Sequence, residues 1–158
     1  MGPVLLLCVG SLKSAWAKDA AQQYLLRLGP CVTVRELPAS KQHDPKKQME
    51  DESERLVDVI ADQKGRTFVL DERGKAMTSV VFAAEIERAK DRGERLTFVL
   101  GGAYGLNDAV RKSGSMIKLS DMTLPHELCR VVFLEQLYRA AEIGKGSGYH
   151  HGAAPPAS

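Results

Sequence analysis

The chain has 158 residues, 44% of them apolar and 27% charged, and its 22 basic and 20 acidic residues leave a net charge of +2. This is the composition of one globular domain large enough to bury its own core, and it offers no global positive field that would argue for a nucleic-acid partner. Its three cysteines, Cys8, Cys31 and Cys129, are widely spaced and lack a C-x-x-C pair, so they read as buried thiols of a reducing compartment.

The N-terminal stretch MGPVLLLCVGSLK has no basic flank of the kind an export signal carries. No run approaches the ~20 apolar residues of a membrane span. Cytoplasmic residence is therefore expected, with no membrane partner. No metal is expected either, because His126, His150 and His151 have no Cys or carboxylate at ligand spacing.

In chain order, Val4 to Val9 reads as a buried strand. Ser14 caps a helix whose apolar face is Trp16, Ala20, Ala21, Tyr24, Leu25 and Leu28, at spacings of three and four. Cys31 to Leu37 is a second strand. Asp44-Pro45 starts a charge-rich helix that turns Met49, Leu56, Val57 and Ile60 inward. Thr67 to Leu70 is a third strand and DERGK, 71–75, a loop. Ser79 caps a helix over Val80 to Lys90. Leu96 to Leu100 is a fourth strand, Asn107 to Lys112 a short helix and Met116 to Leu119 a fifth strand. His126 to Ile143 is the last helix. The pattern predicts an α/β fold, a doubly wound and mainly parallel sheet covered on both faces. Ligands of such sheets bind beyond the carboxyl ends of the strands, which singles out Asp71 to Lys75, Gly101 to Gly105 and Leu119 to Pro125.

Three segments carry further information. The strand FVL runs into Gly101-Gly102 and then Gly105, a G-G-x-x-G pattern that matches neither the dinucleotide fingerprint nor a phosphate loop. It marks either a tight turn or a place where a ligand touches backbone. In LSDMTLPHELCR, 119–130, Pro125 holds Leu124 extended, and Ser120 and Thr123 can bond local backbone, giving an apolar-lined loop suited to a flat heterocycle or simply a strand-to-helix connection. The last helix is apolar nearly all round, from Leu128 to Ile143. Such a helix is buried on more than one side, so a homodimer with two-fold symmetry is expected, a central helix in a monomer being the alternative.

Taken together, LDERGK, FVLGGAYG, LSDMTLPHELCRVVFLEQLYRA and the terminal GYHH resemble the ribosomal RNA large subunit methyltransferase H family, a minimal member of the SPOUT class, over nearly the whole chain. The resemblance implies one domain over 1–151 whose C-terminal part is threaded as a trefoil knot; the extra tail over 152–158, which departs from the family pattern, is small and Pro-containing and is expected to be disordered. It implies a homodimer that uses S-adenosyl-L-methionine to methylate N3 of a pseudouridine in 23S rRNA on the assembled ribosome. Carried onto this sequence, the cofactor site comprises Leu70, Gly101, Gly102, Leu119, Ser120, Asp121, Met122, Thr123, Leu124 and Pro125.

The catalytic candidates are Arg139, Tyr149 and His150. His150 could accept the imide proton. Arg139 could stabilise charge on the uracil oxygens, or pair with Glu135 four residues earlier. Tyr149 could stack on the base. Arg130, Lys145 and His151 are candidate RNA contacts, although Arg130 could instead satisfy backbone carbonyls. Family tails often finish on a basic residue just after Tyr-His, where this chain has His151 and then GAAPPAS, which leaves the charge at that position dependent on protonation. The small net charge suits a large preformed target better than a free hairpin held mainly by phosphates. A flavodoxin-like small-molecule binder and a non-catalytic ribosome-associated dimer are the alternatives.

Overall fold

Strands buried on both faces read as continuous apolar runs, and side chains alternate between the faces along each strand. In the computed structural model, which describes residues 1–152, this alternation separates two cores. Leu6, Cys8, Phe68, Leu70, Phe98 and Leu100 point to one, and Leu7, Val9, Val69 and Val99 to the other. The elements follow as β1 (Val4–Val9), α1 (Ala15–Leu28), β2 (Val32–Leu37), α2 (Pro45–Ala61), β3 (Arg66–Ala76), α3 (Ser79–Asp91), β4 (Leu96–Leu100), α4 (Asp108–Arg111), β5 (Ser115–Lys118) and α5 (His126–Lys145).

The five strands lie in the order β2-β1-β4-β3-β5 and every pairing is parallel. Helices α1, α3 and α5 supply the first core and α2 and α4 the second. Phe98 sits at the centre of the larger one, stacked on Phe68 at 5.4 Å between ring centres and tilted against Phe133 at 4.8 Å. The expected tail, 152–158, lies outside the described residues apart from Gly152.

Three local expectations are corrected. DERGK is not a loop between elements: β3 continues through it to Ala76. Leu70 and Lys75 both register against Ile117 of β5, so 71–74 form an outward excursion between two pairings with one residue. The polar composition of the excursion hid the strand beyond it. Gly74 is required there, because a Cβ at that position would lie 2.5–2.7 Å from the backbone of Ile117.

Second, Trp16 is 54% exposed. The buried line of α1 is Ala17, Ala21 and Leu28, rotated from the predicted face because the small alanines, not the large aromatic, meet α5. Third, the cap of α3 is Thr78, whose hydroxyl accepts from the Val81 N–H, while Ser79 donates instead to Gln136 of α5.

Gly74→Ala is expected to cost more than the roughly 1–3 kcal/mol typical of overpacking, because the obstructing atoms are backbone. Thermal melts should show a fall of about 5 °C or more. Gly148→Ala, with open space around it, should stay within about 0.5 kcal/mol of the parent.

Candidate active site

Parallel strands end on one side of the sheet, and their exits form the rim of any site there. Leu70 ends the first part of β3 and Leu100 ends β4. Beyond them opens a cleft of about 670 Å³, within the ~300–1,000 Å³ of small-molecule sites. Leu70, Gly101 and Gly102 form one side. Leu119, Ser120, Met122, Thr123, Leu124 and Pro125, the connection into α5, form the other, with His126 and Cys129 below. Asp121 is not among the lining residues; it is exposed and paired with Lys118 at 2.5 Å, which holds its carboxyl below the usual range. Met122, 80% exposed, stands on the rim.

The glycine turn is shaped by the chain's own atoms. A Cβ at Gly101 would lie 2.7 Å from Leu106 Cδ2, and one at Gly102 would lie 2.6 Å from Oε1 of Glu52 in α2. Gly105 closes the turn at φ 81°, a left-handed geometry that glycine adopts without strain. At the far end, Ser53 Oγ accepts from the Asn107 N–H at 3.0 Å, and Asn107 caps α4. Residues Met49, Ser53, Leu56 and Ile60 form one stripe of α2, so a serine within an apolar stripe was the sequence signal for this brace. Nothing in the spacing of glycines revealed it. On the outer wall, Asp71 binds Arg111 at 2.9 Å, and Arg111 also binds Asp108 at 3.0 Å.

The entry to α5 is held by Glu127. Its carboxylate accepts from the Ser14 hydroxyl at 2.6 Å and from the Ser14 and Lys13 N–H groups. Ser14, read from sequence as a side-chain cap of α1, thus spends its hydroxyl on α5 and makes no cap bond.

The other candidates gather at the opposite end of α5. Gly146 adopts a left-handed conformation, with Gly146 N–H bonding Ile143 and Ser147 N–H bonding Glu142, a helix stop that reverses the chain. Tyr149 and His150 fold back onto the helix. Glu135 is the hub: it accepts from Arg139 Nε at 2.9 Å, Arg139 Nη2 at 2.6 Å and the Tyr149 hydroxyl at 3.3 Å. Arg139 also lies over the Tyr149 ring at 5.0 Å and donates from Nη1 to His150 Nδ1 at 3.1 Å.

Because a guanidinium only donates, His150 Nδ1 must accept, and the neutral ring carries its proton on Nε2. Burial, and then the Glu135 charge, raise the Tyr149 pKa, so the phenol remains a donor. Donating hydrogen bonds to the Glu135 carboxylate raises that of Arg139. Lys145 is exposed and 3.5 Å from Glu142, and His151 is exposed.

Arg130 is corrected as an RNA contact. It is 6% exposed, bound to Glu36 at 2.6 Å and to the Gly10 carbonyl at 2.8 Å, and so ties α5 across β1 to β2. Cys129, read only as a structural thiol, lines the cleft, while burial pushes Cys8 up to about 12. Among the described residues there is no metal-ligating cluster and no helix long and apolar enough to cross a membrane.

A family described as "Predicted SPOUT methyltransferase" matches residues 3–150. The ribosomal RNA large subunit methyltransferase H of Desulfovibrio desulfuricans is 41% identical, with 94% of this chain and 98% of that protein covered. Its namesake from Nitratidesulfovibrio vulgaris is 42% identical, covering 96% and 100%. The chain belongs to this SPOUT family of ribosomal RNA large subunit methyltransferases H. The solved structure of a putative methylase family protein from Neisseria gonorrhoeae shares the fold, with a TM-score of 0.52 and 14% identity over 98% of this chain and 89% of that one.

Within the SPOUT chain the cleft and the Glu135 cluster do not meet. Cys129 and Arg139 are ten residues apart on one continuous helix, about 15 Å at 1.5 Å per residue.

The clamp on the cleft's lower edge has a pH signature. The Ser14 hydroxyl and the Lys13 and Ser14 N–H groups lower the Glu127 pKa from 4.5 to about 2. A carboxyl depressed by folding contributes stability above its unfolded pKa and loses it as pH falls through the folded one. Melting curves should therefore drop more steeply from pH ~4.5 towards ~2 for the parent than for Glu127→Gln, and the variant should melt lower at neutral pH. Parallel curves would refute the clamp.

Proposed function

We propose that the chain transfers a methyl group from S-adenosyl-L-methionine to N3 of a pseudouridine in 23S rRNA of the assembled ribosome, acting in the cytoplasm as a homodimer. The observation that carries the reading is the cleft itself. Its size, the apolar faces of Leu70, Leu100, Leu106, Leu119 and Leu124, and the backbone of two turns fit an adenine nucleoside with a polar chain. The cofactor supplies a methyl already activated on a sulfonium. The chain's task is to enclose it, keep water out and align the attacking nitrogen, which is worth up to roughly 7–11 kcal/mol.

The 15 Å gap along α5 gives the reason for a dimer. A second copy with α5 antiparallel to the first would carry its Arg139, Tyr149 and His150 over this cleft, and the half-buried flank of α5, including Val131, Val132 and Tyr138, offers the surface. The trefoil knot is part of the same proposal. It is supported by the double pairing of β3, through Leu70 and Lys75, with Ile117 and by the Glu127 clamp that ties the start of α5 to the β1–α1 connection.

In the proposed reaction the imide loses its N3 proton and charge develops on the ring oxygens. The Nε2–H of His150 and the Arg139 guanidinium are donors suited to those oxygens. For His150 to act as base it must first release its Nδ1 from Arg139. Tyr149 offers a ring for stacking. Lys145 and His151 are exposed next to this cluster and would face RNA phosphates.

Labelled-methyl transfer to ribosomes lacking the modification is the direct test, and no transfer with intact cofactor binding would favour a non-catalytic ribosome binder. His150→Ala or Tyr149→Ala should lower the rate by roughly a hundredfold with cofactor affinity within about twofold, as measured by calorimetry; loss of cofactor affinity would refute this division of roles. Co-expression of His150→Ala with Thr123→Trp, which fills the cleft from an exposed position, should restore about a quarter of parental activity, since half the dimers would hold one intact composite site. No recovery would mean that each tail serves its own chain.

A further inference from the structure

Helix α2 buries a charge. Glu52 is 5% exposed, although it lies in a helix whose other acids face water. One carboxylate oxygen, Oε2, accepts from the Ser40 N–H at 2.9 Å. The other, Oε1, packs against Gly102, 2.6 Å from where a Cβ would stand. Gly102 is part of the cleft wall. The carboxylate therefore sits directly behind the wall, and only the missing side chain at 102 lets it come so close.

The cations near the cleft are already matched. Arg111 is bound by Asp71 and Asp108, and Lys118 by Asp121. Glu52 itself is in no ion pair among the described residues. A buried carboxylate with a single neutral donor is costly to fold around. Its field is also poorly screened at that depth, so it acts on whatever occupies the cleft.

We infer that Glu52 is a specificity-determining residue that makes the cleft prefer a cationic ligand, so that a sulfonium nucleoside is favoured over the neutral thioether left after methyl transfer. The inference rests on the cofactor reading given above. It assigns Glu52 an electrostatic role: the charge attracts the substrate form of the cofactor, and that attraction disappears with the methyl group, which assists exchange of product for substrate. The Ser40 N–H and the bare backbone of Gly102 hold the carboxylate in place.

The test is calorimetric binding of S-adenosylmethionine and S-adenosylhomocysteine, without turnover, to the full-length parent and two variants. Glu52→Gln keeps the shape and an oxygen for Ser40 but removes the charge. It should lower the ratio of sulfonium to thioether affinity about fivefold relative to the parent. Glu52→Asp keeps the charge and shifts it; both affinities should fall while the ratio stays within about twofold of the parent. Equal losses for both ligands in Glu52→Gln, or no change, would overturn the inference and leave Glu52 as a brace. Should Glu52→Gln fail to fold, the parent decides: it must bind the sulfonium nucleoside more tightly than the thioether, and equal or weaker sulfonium binding overturns the inference. A parent that binds neither nucleoside would refute the cofactor reading itself, a result distinct from any of these.

Discussion

The grip of β3 on Ile117 is the constraint from which the site follows. One residue of β5 is paired twice, by Leu70 and by Lys75, with Gly74 pressed against its backbone where no Cβ fits. A four-residue edge strand would otherwise be marginal. Held in this way, β5 has a fixed end, and the connection from Leu119 to Pro125 must leave beside the exits of β3 and β4. Glu127 then fixes where that connection becomes α5, by binding the start of α1. The cleft is thus the space left between three chain exits, each anchored by a contact that lies outside it.

Much of this architecture was legible in the chain, because parallel strands buried on both faces and amphipathic helices leave distinct periods. All ten elements were recognised, and Asp44, Pro45 and Asn107 mark their helix starts as expected. The order of strands was not legible. It depends on which edges pair across long separations, and nothing in the local pattern of β1 distinguishes β4 from β3 as its second neighbour. Polar residues misled where they occupy regular structure: DERGK belongs to a strand, and Arg130 is an interior strut. The face of α1 was misread for the opposite reason, since a large aromatic outweighs alanine in any hydrophobic count, yet alanine permits the close approach of α5.

The glycine turn illustrates the limit more sharply. From sequence, paired glycines after a strand ask what comes so close to them. The structure answers first with the protein itself: the Leu106 side chain at Gly101 and the Glu52 carboxylate at Gly102. A ligand reading and a packing reading are not exclusive here. Because the space behind the turn is filled by the chain's own groups, its backbone is set rigidly on the cleft side, as a preorganised wall requires. The partner of Gly102 lies fifty residues away on α2, beyond the reach of any motif.

The two ends of α5 divide the proposed chemistry, and the helix explains why one chain cannot unite them. A continuous hydrogen-bonded helix is stiff over its length, so no bend brings Arg139 back to Cys129. The helix stop at Gly146 folds the tail onto α5 but only as far as Glu135, where Arg139 and Tyr149 compete for the same carboxylate oxygen. That oxygen stabilises a parked arrangement: Arg139 is neutralised and His150 is held by its Nδ1. Presenting these groups to a base means exchanging Glu135 for a new acceptor, and an RNA carbonyl or phosphate is the kind of partner a guanidinium accepts in place of a carboxylate. The same substitution would free His150 Nδ1 to take a proton. Assembly of the site and activation of its groups would therefore be one event, driven by the arrival of the substrate.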